Sequence, residues 1–66
     1  MAPHQQRVVD EKMELDKKAN ALTAFIGSSP IFETLDAAEQ DRLKEQNEVM
    51  WRYSQTLGAR IVAFGV

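Results

Sequence analysis

The sequence contains no cysteine and only one histidine among its 66 residues. The absence of cysteine excludes a disulfide framework and a thiolate metal site, and one histidine is too few for a cluster of histidine ligands. A chain this short buries only about 60% of the surface that its unfolded form exposes, so chains of this size usually need a further constraint. Association with further copies of the chain is the constraint that we expect.

The sequence also lacks a basic excess and a long apolar run. Its formal net charge is −2, which argues against binding to duplex nucleic acid, whereas a small anionic ligand needs only a few Arg or Lys residues. No apolar run approaches the roughly 18 residues of a membrane span. The segment MAPHQQRVV has no signal-peptide apolar region. We therefore expect a cytoplasmic protein that does not bind membranes.

Helical periodicity is the main positive signal. Pro3 suits the first turn of a helix, and the pattern predicts a first helix over about residues 4–26. Lys12 occupies a position where an apolar residue is expected, and Glu14 and Lys18 are spaced for an ion pair. The apolar line of this helix consists of Val8, Leu15 and Leu22 at seven-residue spacing, with Ala19 and Ile26 between.

A break separates this helix from a second one. Gly27 and Pro30 predict the end of the first helix and a connection over residues 27–35. Asp36 is a suitable N-cap for a second helix over about residues 37–64.

The connection is short, so the two helices are expected to be antiparallel neighbours. Phe32 and Leu35 are expected to close the end of the hairpin. The predicted fold is all-α: a single helical-hairpin domain over residues 1–66, in which an antiparallel two-helix hairpin assembles into a helical homo-oligomer.

The second helix carries a polar line beside an apolar one. Leu43, Met50, Leu57 and Phe64 recur every seven residues, and Gln46, Tyr53 and Arg60 recur at the same spacing between them. Under one interpretation, these polar residues lie between the helices and set their register. Under the other, they line a crevice between hairpins, where Tyr53 stacks on a base and Arg60 binds a phosphate. Spacing alone favours the first interpretation.

Several apolar residues fall outside the main apolar line. Exposed on a monomer they would form a patch typical of an interface, so we expect them to lie between subunits. They are Val9, Val49, Trp51, Ile61 and Val62. Catalysis is not indicated, because no nucleophile has an evident base and no Gly-rich phosphate loop is present.

Nearly the whole chain, from His4 to Phe64, resembles a family of small phage proteins. The resemblance is carried by HQQRVVDEKMELDKKANALTAFI, then by Phe32 and Leu35, then by RLKEQNEVMWRYSQTLGARI. Within these, RVVDEK.EL, Phe25-Ile26 and the line Q...M..Y...L..RI match the pattern. The family is the helical-hairpin family of anti-CBASS and anti-Thoeris cyclic-nucleotide sponge proteins, with short crAss-phage-related relatives.

This resemblance implies a non-enzymatic protein without a cofactor, in the cytoplasm of an infected bacterial host. It implies a compact homo-oligomer, a hexamer, with sites between protomers for a cyclic di- or trinucleotide or a cyclic ADP-ribose-type ligand. It also implies aromatic stacking on bases and Lys or Arg contacts to phosphates. The chain departs from the family in having His4, and no Tyr or Phe, near the start of the first helix. The candidate ligand-binding residues are Tyr53, Arg60, Gln46, Arg7, His4 and Lys18.

Two functions follow as hypotheses. The first is a phage anti-defence sponge that binds and sequesters cyclic nucleotide immune signals without degrading them. The alternative is a non-catalytic structural or adaptor hairpin that binds a protein partner through a helix face.

Overall fold

In the computed structural model, which describes residues 1–65, the chain is all-helical. The elements are α1 (Pro3–Ser28), α2 (Pro30–Thr34) and α3 (Ala37–Ala63). α1 packs along α3, and α2 covers one end of the pair. Hydrogen bonds join Asp16 to Ser54 and Thr23 to Asn47, an order that makes α1 and α3 antiparallel. The predicted all-α class is confirmed.

The segment predicted as a plain connection contains a helix of its own. The sequence predicts an end of α1 at Gly27, but α1 continues to Ser28, and Gly27 does not adopt the positive φ of a glycine cap. Pro30 sets the end instead, because a proline disfavours helical geometry in the residue before it. Ser29 accordingly has φ −82° and ψ 128°, and its hydroxyl accepts a hydrogen bond from the Ile31 backbone N–H at 3.2 Å.

Side-chain hydrogen bonds fix the start of α3 and the position of α2. The Asp36 carboxylate accepts from the backbone N–H of Glu39 at 2.7 Å, which is the predicted N-cap. The Gln40 side-chain amide donates to the carbonyls of Phe32 and Leu35 at 3.0 and 3.1 Å. These two bonds satisfy carbonyls at the C-terminal end of α2 and hold it against α3.

An aromatic contact closes the turn end of the hairpin. Phe32 is 4% exposed and meets Phe25 of α1 edge to face, with ring centroids 6.0 Å apart. The Lys44 ammonium lies 5.9 Å from the Phe32 ring centroid, within the range of a cation–π contact. Phe32 therefore acts as the expected plug.

The interface between α1 and α3 mixes apolar and polar residues. Its most deeply buried members are Val8, Ala19, Ser54 and Leu57. On α3, the apolar series Leu43, Met50, Leu57 and Phe64 is buried or half-buried, as are the residues between its members: Asn47, Ser54 and Ile61.

Gln46, Tyr53 and Arg60 are exposed beside the interface of the two helices and do not lie within it. Tyr53 nevertheless bonds across the helix pair, to Glu11. Positions three and four residues from an apolar heptad residue lie on opposite sides of the apolar line. Spacing does not tell which side the partner helix covers. α1 covers the side of Asn47 and Ser54.

Asn47 binds two groups of α1 at once. Its side-chain N–H groups donate to the Ala19 carbonyl at 3.1 Å and to the Thr23 hydroxyl at 3.0 Å. The Thr23 hydroxyl donates to the same carbonyl at 2.9 Å and accepts from the Trp51 indole N–H at 3.2 Å. A shift of α1 by one turn would break the three of these bonds that come from Asn47 and Trp51 of α3, so Asn47 is a register-setting residue.

A second polar contact explains why Lys12 stands where an apolar residue is expected and why Gly58 lies inside α3. The Asp16 carboxylate accepts from the Lys12 ammonium at 2.7 Å and from the Ser54 hydroxyl at 2.5 Å. These bonds lower the pKa of Asp16, with the Lys12 contribution the larger. The Lys12 stem passes over Gly58, where an added Cβ would lie 3.4 Å from Lys12 Cε. Gly58 thus leaves room for the aliphatic part of Lys12, which replaces the expected apolar residue.

Within residues 1–65, no helix is both long enough and apolar enough to cross a membrane.

Candidate functional site

A contact between Tyr53 of α3 and Glu11 of α1 marks one long edge of the hairpin. Tyr53 is 44% exposed, and its phenol O–H donates to the Glu11 carboxylate. Residues three, four or seven positions apart share a helix face, so two lines of residues run side by side from this contact. We call this surface the Tyr53 edge; it comprises His4, Arg7, Glu11, Glu14, Lys18, Gln46, Val49, Tyr53 and Arg60.

The antiparallel arrangement gives the Tyr53 edge a definite order. Arg60 at the end of α3 lies beside the first turns of α1, which carry His4 and Arg7. Glu11 and Tyr53 are in the middle, and Lys18 with Gln46 lies toward the turn. A seven-residue step on a helix is about 10 Å, so the edge presents groups at intervals of that size.

The cations of the Tyr53 edge differ from the other cations of the chain. Four Lys or Arg residues form ion pairs within their own helices, namely Lys12, Lys17, Arg42 and Arg52, and Lys44 lies over a ring. Among the described residues, Arg7, Lys18 and Arg60 form no ion pair, and all three are exposed. Three cations thus remain available on one surface for an anion from outside the chain.

The ion pair expected between Glu14 and Lys18 does not form. Glu14 pairs with Lys17 at 3.4 Å, not with Lys18 as the spacing suggests. The Glu14–Lys17 pair is well exposed on both sides, so it contributes little to stability. Its consequence for the surface is that the Lys18 ammonium is left without a carboxylate partner in residues 1–65.

All six residues named as candidates from the sequence fall on the Tyr53 edge. Gln46 is the least distinct of them, since its amide approaches the Met50 sulfur at 3.9 Å. Glu11 is the residue that sequence reasoning missed. Its signal was present, because it lies midway between His4 and Lys18 at seven-residue spacing, but only the fold places it against Tyr53.

The opposite edge of the hairpin is apolar. Trp51 is half-buried and hydrogen-bonded to Thr23, while Met13 and Val62 are 55% and 78% exposed. Val62 follows Trp51 by three helical turns, and the antiparallel pairing places it near the start of α1. We call this surface the Trp51 edge; it comprises Val9, Met13, Thr23, Trp51 and Val62.

The apolar residues expected to form one interface patch are therefore divided. Trp51, Val9 and Val62 belong to the Trp51 edge. Ile61 is half-buried within the line that faces α1, so the prediction that it lies outside the main apolar line is wrong. Val49, 49% exposed, follows Gln46 and precedes Tyr53 on the face of the Tyr53 edge.

A single hairpin offers a surface and not an enclosed site. Its Cα atoms span 46 × 15 × 14 Å, and the part of the chain that the structure describes contains no pocket. No group of three or more potential metal ligands lies together in residues 1–65. A ligand that meets the Tyr53 edge of one chain is covered on one side only, so enclosing it requires another surface.

Comparison with known proteins gives one finding. A family described as Sequestin matches residues 2–63, nearly the whole chain. No curated protein matches the sequence, and no solved structure matches the fold.

Proposed function

The chain belongs to the Sequestin family, and from this premise we propose that it binds and sequesters a cyclic nucleotide signal of a bacterial immune system without degrading it. The family name is consistent with a sequestering, non-catalytic role. Sequestration requires affinity and abundance and no bond-making chemistry. The ligand class is a cyclic di- or trinucleotide or a cyclic ADP-ribose-type molecule, held in the cytoplasm of a phage-infected cell so that its effector is not activated. The protein then acts against CBASS or Thoeris defence.

The single observation that carries this proposal is the set of cations on the Tyr53 edge that form no ion pair with any described residue. Arg7, Lys18 and Arg60 lie on the one surface that also exposes an aromatic ring with a polar tip. Cations bind phosphate oxygens through charge-assisted hydrogen bonds, and an exposed tyrosine stacks on a base. Arg60 lies in the last turn of α3, where the helix dipole stabilises its charge.

The proposal includes assembly, because one hairpin does not enclose a ligand. Copies of the chain associate through the Trp51 edge and neighbouring apolar residues, and the Tyr53 edges of adjacent copies form crevices between protomers. A hexamer is the assembly that the family resemblance implies. Such an arrangement uses the exposed Met13 and Val62 and leaves the cations open to solvent.

A melting screen tests the proposal. A ligand present at 100 times its dissociation constant stabilises the folded protein by about 2.7 kcal/mol, which for a domain of this size raises the melting temperature by roughly 10–20 °C. The panel comprises cyclic di- and trinucleotides and cyclic ADP-ribose isomers. Heating the complex and recovering the ligand intact by chromatography would separate sequestration from degradation.

The adaptor alternative predicts a different result in the same screen. A hairpin that only binds a protein partner gains no stability from any nucleotide in the panel. Its melting temperature then stays constant across the panel at every ligand concentration, and the proposed function is wrong.

A further inference from the structure

The Tyr53 edge carries two carboxylates, and Glu14 is paired with Lys17, so Glu11 is the one to which neither an ion pair within residues 1–65 nor the proposed anion binding gives a role. It forms no ion pair among the described residues, although Arg7 lies one turn before it on α1. It accepts a hydrogen bond from the Tyr53 phenol instead. A carboxylate in the middle of a surface that binds phosphates repels them, so its presence there calls for a reason.

We infer that Glu11 recognises a hydroxyl or amine hydrogen-bond donor of the bound nucleotide, and that the Tyr53 phenol occupies this position in the free protein. The inference rests on the proposed function and specifies the chemistry of the same site. A carboxylate only accepts hydrogen bonds. The uncharged donors of a nucleotide are the hydroxyls of its ribose and the exocyclic amines of its bases.

The pairing with Tyr53 favours a donor close to the base. The Glu11 carboxylate lies at the phenol tip of the exposed Tyr53 ring, so a base that stacks on this ring with its sugar toward that tip brings a ribose hydroxyl to Glu11. The phosphates are then directed along the edge toward Arg60 and Arg7 at one end or Lys18 at the other, each about 10 Å or less from the centre by helical rise. Glu11 thereby excludes phosphate from the centre and accepts a hydroxyl there.

The inference predicts effects of opposite sign for two ligand types. Glu11→Gln keeps the size of the side chain and removes its charge. Binding of a cyclic nucleotide with free ribose hydroxyls is expected to weaken by about tenfold, because a charge-assisted hydrogen bond is lost. Binding of inorganic pyrophosphate, which has no uncharged donor, is expected to strengthen by about two- to fivefold, because a repelling charge is removed.

The experiment is calorimetric titration of the full chain with two ligands. The first is the cyclic nucleotide that gives the largest shift in the melting screen, and the second is pyrophosphate. Glu33→Gln is the matched control: it changes the net charge equally, but Glu33 is exposed in α2 at the turn. The control is expected to bind both ligands as the wild type does. A deoxy analogue of the cyclic nucleotide, which keeps the phosphates but lacks the hydroxyls, is expected to bind Glu11→Gln at least as tightly as it binds the wild type.

Tyr53→Phe supplies a second variant that keeps the stacking ring. If the phenol only occupies the position of a ligand hydroxyl, removing it leaves cyclic nucleotide affinity unchanged or raises it a few-fold. If Glu11 serves only to hold Tyr53 in place, Tyr53→Phe and Glu11→Gln weaken cyclic nucleotide binding alike, and the inference is overturned.

The failure of the inference is distinguishable from the failure of the proposed function. A wild type that binds a cyclic nucleotide, together with a Glu11→Gln variant of equal affinity for both ligands, overturns the role of Glu11 alone. A wild type that binds no cyclic nucleotide overturns both.

Discussion

The two long edges of the hairpin are built on the same pair of helices, yet their side chains are satisfied in different ways. On the Trp51 edge, the indole N–H of Trp51 is bonded to Thr23, and the large exposed side chains are apolar, namely Met13 and Val62. On the Tyr53 edge, the exposed groups include three cations that form no ion pair within residues 1–65 and a ring bonded to a carboxylate. In the free protein, water solvates the charged groups of the Tyr53 edge. The apolar side chains of the Trp51 edge leave water only by contact with another apolar surface.

Because of this difference, we expect the Trp51 edge to mediate association and the Tyr53 edge to bind the ligand. An apolar strip on a small elongated chain is suited to association with copies of itself. Exposed cations are suited to an anionic ligand, because a ligand phosphate replaces water with little loss of packing. The comparison therefore predicts that mutations on one edge change assembly and mutations on the other change ligand binding.

The largest effect is expected where both edges depend on the same residue. Leu57 is fully buried between α1 and α3, and Leu57→Ala is expected to cost about 2–5 kcal/mol in folding free energy. For a chain of marginal stability this unfolds the hairpin and removes assembly and ligand binding together. Circular dichroism melts give the measurement. Ile31→Ala, at a residue 62% exposed in α2, is the control, and equal melting temperatures for the two variants would contradict the account.

Trp51→Ala is expected to lower both the stability of the hairpin and its assembly through the Trp51 edge. It removes a half-buried indole and its bond to Thr23, a loss of about 2 kcal/mol. Melting temperature and assembly size are expected to fall together, as measured by circular dichroism and sedimentation. Trp51→Phe retains most of the apolar area and should give an intermediate result. An assembly of unchanged size in Trp51→Ala would place the interface elsewhere.

Tyr53→Ala is expected to weaken ligand binding and to leave assembly unchanged. Removing the ring costs stacking worth roughly 1–3 kcal/mol of binding free energy per base, while the buried series of α3 stays intact. Ligand affinity, measured by calorimetry, should fall by at least several-fold, with the assembly size unchanged. The opposite pattern, lost stability at constant affinity, would make Tyr53 a purely structural residue.

The smallest expected effect concerns pH and the contact of Asp16 with Lys12 and Ser54. Because the pKa of Asp16 is lowered in the folded chain, its ionised carboxylate stabilises the fold. This contribution to stability is complete at a pH above the unfolded-state pKa of about 3.9. It is lost as the pH falls through the lower pKa of the folded state. Melting temperatures of wild type and Asp16→Asn should therefore converge on acidification below about pH 4. Asp41→Asn, at an exposed carboxylate without an ion pair in the described residues, should show no such convergence.

Much of the fold follows from the sequence, because the apolar heptads and the caps are local signals. Pro30 and Asp36 set two of the helix ends directly. The side of α3 that faces α1 was assigned incorrectly. Asn47 and Ser54 lie four residues after an apolar residue, and Gln46 and Tyr53 lie three after one, so both lines are equally compatible with a heptad.

The candidate site shows the same limit. Charge and ring chemistry identify Tyr53 and Arg60 in the sequence, but the pairing state of a lysine depends on geometry. The spacing of Glu14 and Lys18 suggests an ion pair, whereas the fold joins Glu14 to Lys17. The contact of Glu11 with Tyr53 joins residues that are 42 positions apart along the chain, so local sequence patterns do not reveal it.

The measurement that tests the central claim most directly is calorimetric titration of Arg60→Ala and Arg52→Ala with the cyclic nucleotide that most stabilises the wild type. Both arginines are exposed on α3, but Arg52 lies off the Tyr53 edge, 4.0 Å from the Glu48 carboxylate. The account predicts that Arg60→Ala loses a phosphate contact worth roughly 1.5–3 kcal/mol, about ten- to a hundredfold in affinity, while Arg52→Ala binds as the wild type does. Equal affinities for the two variants would contradict the assignment of ligand binding to the Tyr53 edge.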